Sequence, residues 1–383
     1  MRIGFLFNHE AAHQVAHGLP VALSLARLCP DIAVRILCAP GAVEHEVRRL
    51  AGDAPSGVRI VPLRGPDRAA RLLNRLSGRS IPIDRISVLY RNLDRFRDLA
   101  ALVVPEKTSL LLKTRLGLPQ LKMIHTRHGA GDRAVGFDRA SGRFDLVLLS
   151  GAKIRDRLQA AGLLRPDGHA IVGYPKFDLA PARPAARLFP NDRPTVLYNP
   201  HPSPALSSWY RQGPAILDYF ARNAAYNLIF APHVSLFARR FTLSTSPPSF
   251  GVVPAIPAHI LDAPNIRIDR GSTASVDMSY TAAADIYLGD ASSQVYEFIR
   301  TPRPCIFFDA HHQQWRGDPN FAHWAAGPVV SDIDALDSAL ADAVARPDVF
   351  AAVQQRLFAY SFDLSDKPSA DRAADAIAAF VAA

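Results

Sequence analysis

Short, continuous apolar runs recur along this chain, separated by stretches of helical spacing, and the alternation starts twice. The first series of runs lies at 2–7, 32–37, 58–62, 100–104, 121–125, 144–149 and 169–172. Helical patterns fall between them at 19–28, 42–50, 67–76, 86–97, 107–116 and 153–161. A proline-rich break follows, with Pro175, Pro181, Pro184, Pro190 and Pro194. The second series runs through 195–198, 227–230, 266–268, 285–288 and 304–309, with helical patterns at 214–223 and 276–283. The Pro/Ser-rich stretch 243–257 reads as loop, and 333–345, 349–360 and 370–381 read as three closing helices. Strands that are apolar throughout, with helices between them, predict parallel sheets covered on both faces. The expected class is α/β: two Rossmann-like domains whose parallel sheets face an interdomain cleft. The expected division is 1–180, a linker at 181–194, and 195–383 with the closing helices, the last of which can also pack back on the first domain. At 383 residues the chain is long enough for two such cores.

In open parallel sheets, ligands sit at the carboxyl ends of strands. The polar motifs of this chain fall there. Asn8-His9 follows the first run, and His125-Thr126-Arg127-His128-Gly129-Ala130-Gly131-Asp132-Arg133 follows another. Gly173-Tyr174-Pro175-Lys176-Phe177-Asp178 ends a third, at the domain boundary. In the second half, Asn199-Pro200-His201, Pro232-His233 and Gly289-Asp290-Ala291-Ser292-Ser293 each follow a run. The last of these opens a helix, so its first-turn N–H groups can receive a phosphate, or Asp and Ser can simply cap it. In the 125–133 segment, glycines allow close backbone approach to a ligand and histidine suits general-base chemistry near neutral pH.

Charge and cysteines bound the partners. The formal charge is +9, and residues 48–97 carry twelve arginines against four aspartates. That density suits an anionic partner such as a nucleotide phosphate or an anionic membrane surface. Nucleic acid fits poorly, because aromatic interleaving and a binding module are missing. Cys29, Cys38 and Cys305 are too few and scattered for a disulfide framework or a metal site, so a reducing, cytoplasmic setting is expected. The opening apolar run is too short for a signal peptide, and no stretch reaches a membrane span.

His9-Glu10-Ala11-Ala12-His13 matches the His-Glu-x-x-His zinc pattern, with His17 one turn later. That chemistry needs both histidines on one helical face, and here the match directly follows a buried strand, where a loop belongs. No metal is expected.

Taken in order, the motifs resemble the CDP-glycerol glycerophosphotransferase family, the teichoic-acid polymerase and primase type, which has the GT-B fold. Its His-Gly-x-x-x-Lys is similar to His128-Gly129 with Arg133 in the lysine place. Its Gly-x-Pro-Arg-x-Asp resembles Gly173 to Asp178, with Lys176 for arginine. Its Pro-His resembles Pro232-His233, and its Asp-Tyr-Ser-Ser-x-x-x-Asp resembles Asp290 to Ser293 with Glu297 near the final acid. Gly327-Pro328 echoes a downstream Pro-Gly-Pro element, and the resemblance spans about residues 121–340. Ala291 stands where the family has tyrosine, and Asn199-Pro200-His201-Pro202 lacks the family's threonine and arginine.

The resemblance implies an acceptor domain at 1–180 and a nucleotide-donor domain at 195–383. Ser292, Ser293 and the helix start after Asp290 would hold the diphosphate, Glu297 the ribose hydroxyls, and His233 the leaving phosphate. His128 would be the base, with Arg133 and Lys176 supplying positive charge. The donor would be nucleotide-activated, CDP-linked by preference, with no further cofactor. The acceptor would be a lipid-linked or glycan hydroxyl in cell-envelope biosynthesis, reached at the inner face of the membrane. A nucleotide-sugar glycosyltransferase, or an enzyme like the UDP-GlcNAc 2-epimerases, stays open on the same scaffold. So does a non-catalytic nucleotide- or membrane-binding module.

Overall fold

The structure is a computed structural model that describes all 383 residues except 10–11, 77–81, 128, 134–135, 180–187 and 246. It divides into two compact units. One comprises Met1–Ala130, Phe137–Ala180 and Ala359–Ala383; the other comprises Gly131–Gly136 and Pro181–Phe358.

The first unit is built on a seven-stranded sheet: β1 (Arg2–Phe7), β2 (Ala33–Cys38), β3 (Val58–Pro62), β4 (Ala101–Val104), β5 (Lys122–His125), β6 (Leu146–Leu149) and β7 (His169–Ile171). The order is β3-β2-β1-β4-β5-β6-β7, and every pairing is parallel. Alternate residues of one strand serve opposite faces. Ile3, Phe5 and Phe7 pack with Val34, Ile36 and the helix Val15–Leu28, whereas Leu6 packs with Leu37, Leu102 and Leu89. Both faces are therefore dry, as the unbroken apolar runs required.

The helix Ser369–Ala382 completes this unit rather than closing the second. Its Ala370, Ala373, Ala374 and Ile377 are buried in the core shared with Val15–Leu28. The Gly173–Asp178 segment explains how it docks. Asp178 accepts from the Ser369 and Ala370 amides at 3.3 and 2.7 Å, capping a helix start far away in sequence. Ser369 Oγ in turn accepts from the Tyr174 amide at 3.0 Å. Gly173 has φ +84°, and a Cβ there would stand 2.4 Å from Ser369 Oγ. Gly173→Ala should cost roughly 2–3 kcal/mol through left-handed strain and this clash. Hydrogen exchange is the direct check: amides of 369–382 should lose protection while those of the second unit keep theirs.

The second unit repeats the plan with six strands: β8 (Thr195–Asn199), β9 (Asn227–Phe230), then, after a hairpin, β12 (Ile266–Ile268), β13 (Ile286–Gly289), β14 (Cys305–Phe308) and β15 (Val329–Val330). The order is β12-β9-β8-β13-β14-β15, again all parallel. Strand order reverses between β8 and β13, which makes their carboxyl ends the switch point where such sheets take ligands. The hairpin is β10 (Phe241–Thr245) with β11 (Pro248–Val252), an antiparallel pair in a stretch expected to be largely loop. Its alternation of Phe, Thr, Leu and Ser has the period of a strand, which the prolines at its tip obscured.

Candidate functional site

The polar groups gathered at the second unit's switch point come from four places: the ends of β8, β9 and β13, and the Gly131–Gly136 segment. Asp290, directly after β13, is their hub. Its carboxylate accepts from the His201 amide (2.8 Å), the Ser208 amide (2.7 Å), the Ser208 hydroxyl (2.9 Å) and its neighbour Ala291's amide (2.6 Å). Asp290 is 1 % exposed, and burial raises its pKa against the lowering effect of these bonds. The side chain therefore ties β13 to the loop after β8 and to the start of the helix Trp209–Arg222.

His201 and His233 stand beside it, their ring centroids 6.1 Å apart. Arg133 Nη1 donates to His201 Nε2 at 2.8 Å. Ser203 N lies 3.0 Å from Nδ1 on the other side, so two donors compete for the one acceptor of a neutral ring. An anionic oxygen beside Arg133 would take its hydrogen and relieve that competition. The ring is held neutral: burial first, then the Arg133 charge, drives the His201 pKa well below the histidine range. His233 is half-buried and lowered to about 4 by the same two causes. Ser235 N donates to its Nδ1 at 3.2 Å, so Nε2–H is left as a neutral donor.

These shifts fix a pH dependence. The unfolded chain protonates His233 near the ordinary value of about 6.5, the folded chain only at about 4. Stability is therefore full above about 6.5 and falls as pH drops from there towards 4, by about 2 kcal/mol for this partly exposed ring. Thermal unfolding across that window should show the decline, and His233→Gln should remove this ring's share of it while the share of His201, lowered in the same direction, stays.

A second network, which sequence reasoning missed, lies behind the first. Asp132, whose side chain is 0 % exposed, accepts from the Tyr296 hydroxyl at 2.7 Å and from the His323 amide at 3.0 Å. His323 Nδ1 lies 2.9 Å from the same carboxylate, and Nε2 lies 2.9 Å from the Asp290 carbonyl. Both ring nitrogens lie at hydrogen-bond distance from an oxygen acceptor, so the ring ties the Asp132 carboxylate to the Asp290 carbonyl. The Trp324 indole donates to that same Asp290 carbonyl at 2.6 Å. Trp324 also borders an open pocket of about 550 Å³ at the ends of β14 and β15, lined by Asp309, His312, Trp315 and Arg316 among others.

The remaining sequence-derived residues are placed as follows. Ser292 is buried and its hydroxyl accepts from Gln294 N at 3.3 Å; Ser293 is exposed at the start of the helix Gln294–Phe298. Gly131 lies against it, for a Cβ there would come within 3.2 Å of Ser293 Cβ. Glu297 is buried on this five-residue helix, and its charge adds to that of Asp290 in raising the Tyr287 pKa, after burial. Lys176 is buried in the first unit, within the 3-10 turn Pro175–Leu179. His128 lies outside the described residues. On either side of it the backbone is left-handed, φ +44° at Arg127 and +79° at Gly129, a strained setting for an arginine. Lys153 donates to the Ala130 carbonyl at 2.6 Å, and Arg127 lies 5.0 Å over the Phe137 ring.

The His-Glu-x-x-His segment is not one helical face. β1 ends at Phe7, His13 lies in the 3-10 turn Ala12–Gln14, and the α-helix starts at Val15; Glu10 lies outside the described residues.

No protein-family profile matches the chain, and no curated protein does. Solved structures do. A wall teichoic acid polymerase, TagF, soaked with CDPG superimposes with TM-score 0.61 at 15% identity, covering 100% of this chain and 88% of that one. A putative UDP-N-acetylglucosamine 2-epimerase from Listeria monocytogenes gives 0.63 at 11% identity, with 99% and 95% covered. The glycotransferase of kitacinnamycin gives 0.55 at 13%, with 99% and 98% covered. At such identities the likeness establishes the fold: the chain is a GT-B protein, with two parallel-sheet units.

Proposed function

We propose that this protein is a GT-B transferase that moves a glycerophosphate-type group from a CDP-activated donor to a hydroxyl of a lipid-linked or glycan acceptor in cell-envelope biosynthesis. The observation that carries this reading is the Arg133 guanidinium at the switch point, set against two histidines held neutral, His201 and His233. A diphosphate oxygen placed there would accept a charge-assisted hydrogen bond from Arg133 and a further one from His233 Nε2–H. The exposed Ser293 and the short helix it begins would add to that cradle. The pocket past Trp324 offers aromatic walls for the nucleoside.

In the transfer, the acceptor oxygen attacks the β-phosphorus while its proton passes to His128. The bond from that phosphorus to the bridging oxygen breaks, and CMP leaves with the electron pair. Neutral His233, with Nε2–H fixed, donates to the leaving phosphate, and Arg133 offsets its charge. Glu297 would accept from the ribose hydroxyls, and Lys176 would supply positive charge.

A donor panel tests this. CMP should be released with CDP-glycerol, and nucleotide sugars should give no turnover. Release of UDP or GDP from sugars would instead select the glycosyltransferase or epimerase-like reading, which the other fold neighbours support. If no nucleotide raises the unfolding midpoint, a binding role fails together with both enzyme readings.

A further inference from the structure

The hairpin β10–β11 has two unlike faces. In its register Phe241 pairs with Val252 and Leu243 with Phe250. These four side chains share one face and are 57, 57, 62 and 64 % exposed for Phe241, Val252, Leu243 and Phe250 respectively. The intervening residues Thr242, Ser244, Ser249 and Gly251 are half-buried on the other face. Gly251 shows what that face touches: a Cβ there would come within 2.8 Å of the Tyr210 ring and 2.9 Å of Pro204. The apolar face is therefore not a core face left open by misregister, because the polar face is the one packed inward.

We infer that this hairpin is a docking surface for an anionic lipid bilayer, its four apolar side chains entering the headgroup boundary. Charge supports that occupant. Arg239 and Arg240 are exposed at the hairpin's base, and no Asp or Glu occurs between Asp218 and Asp262. Desolvation supports it too. The strand backbones pair with each other, and the tip carries Pro247-Pro248, which have no N–H to leave unsatisfied at the lipid boundary. A proline in β11 also removes a donor that strand addition by a protein partner would use. Its two strands are 5 residues each, shorter than the roughly 9–11 a spanning strand needs, so the hairpin lies in the interface rather than spanning it. The site is separate from the arginine-rich 48–97 region, whose helix Arg68–Leu76 exposes Leu72, Leu73 and Leu76. It does not depend on the identity of the donor.

Vesicle sedimentation of the full chain tests the inference, using phosphatidylcholine alone and phosphatidylcholine with phosphatidylglycerol at three parts to one. Wild type should pellet with the anionic vesicles. The double variant Leu243→Ser, Phe250→Ser should lose about tenfold in partitioning at an unchanged unfolding midpoint, since both positions face outward. Arg240→Gln should weaken binding to the anionic vesicles alone. A parallel variant, Leu72→Ser with Leu76→Ser, separates the two surfaces. The inference is overturned if the hairpin variant pellets like wild type, or if only the 68–76 variant loses binding. It is equally overturned if wild type does not pellet but sediments as a dimer that the hairpin variant dissolves, for then a second copy covers this face.

Discussion

Asp132→Ala should lower the stability of the second unit by about 3–5 kcal/mol, because it leaves three buried donors without an acceptor. Three donors lose their acceptor at once: the Tyr296 hydroxyl, the His323 amide and the His323 ring. For a unit of this size the unfolding midpoint should fall by about 10 °C. Asp132→Asn, which keeps an acceptor but no charge, should lose less. The double variant Asp132→Ala with His323→Ala should recover part of the loss, since the ring donor is then removed together with its acceptor. Equal midpoints for Asp132→Ala and wild type would mean that this carboxylate does not hold His323 and Tyr296 in place.

Arg133→Ala should reduce kcat/KM for the nucleotide-activated donor by about 10²–10³, the usual scale for removing one charged group from a developing anion. Arg133→Lys should restore part of that, as a point charge without the planar fork. A second readout separates a direct role from loss of fold. The Arg133 charge is, after burial, the largest influence depressing the His201 pKa. In Arg133→Ala the ring should titrate at higher pH by nuclear magnetic resonance, and with Arg133→Lys it should stay low. Unaltered turnover in Arg133→Ala would remove this residue from the diphosphate site.

Local pattern located most of the strands but not what couples distant segments. The bounds of β1, β3, β9 and β12 match their apolar runs: β1 and β9 because strands buried on both faces must be apolar along their length, and the edge strands β3 and β12 although each exposes an arginine. Helices were less sharply marked: 107–116 resolves into a 3-10 turn, Thr108–Leu110, and a single α-turn, Leu111–Thr114. The hairpin was hidden by Pro247 and Pro248. Of the site, Asp290 and His233 were legible as polar residues after apolar runs. Asp132 was visible only as part of a motif. His323 carries no local signal, since its partner is 191 residues away. Gly173 and Asp178 have a role that their local pattern does not announce. Their spacing resembles part of a ligand motif, and in the structure they receive the helix Ser369–Ala382.

That helix also sets the order in which the molecule can be finished during synthesis. The sheet of the first unit is complete by Ile171, yet part of its core is supplied by residues 369–382, made about 200 residues later. At about 5–20 residues per second, the delay is on the order of ten seconds or more. Through that interval the Val15–Leu28 helix and its neighbours present uncovered apolar surface, while the whole second unit emerges and can fold. The amino-terminal half of this protein is thus translated first and completed last, and a nascent chain stalled before residue 369 should be the form that chaperones retain.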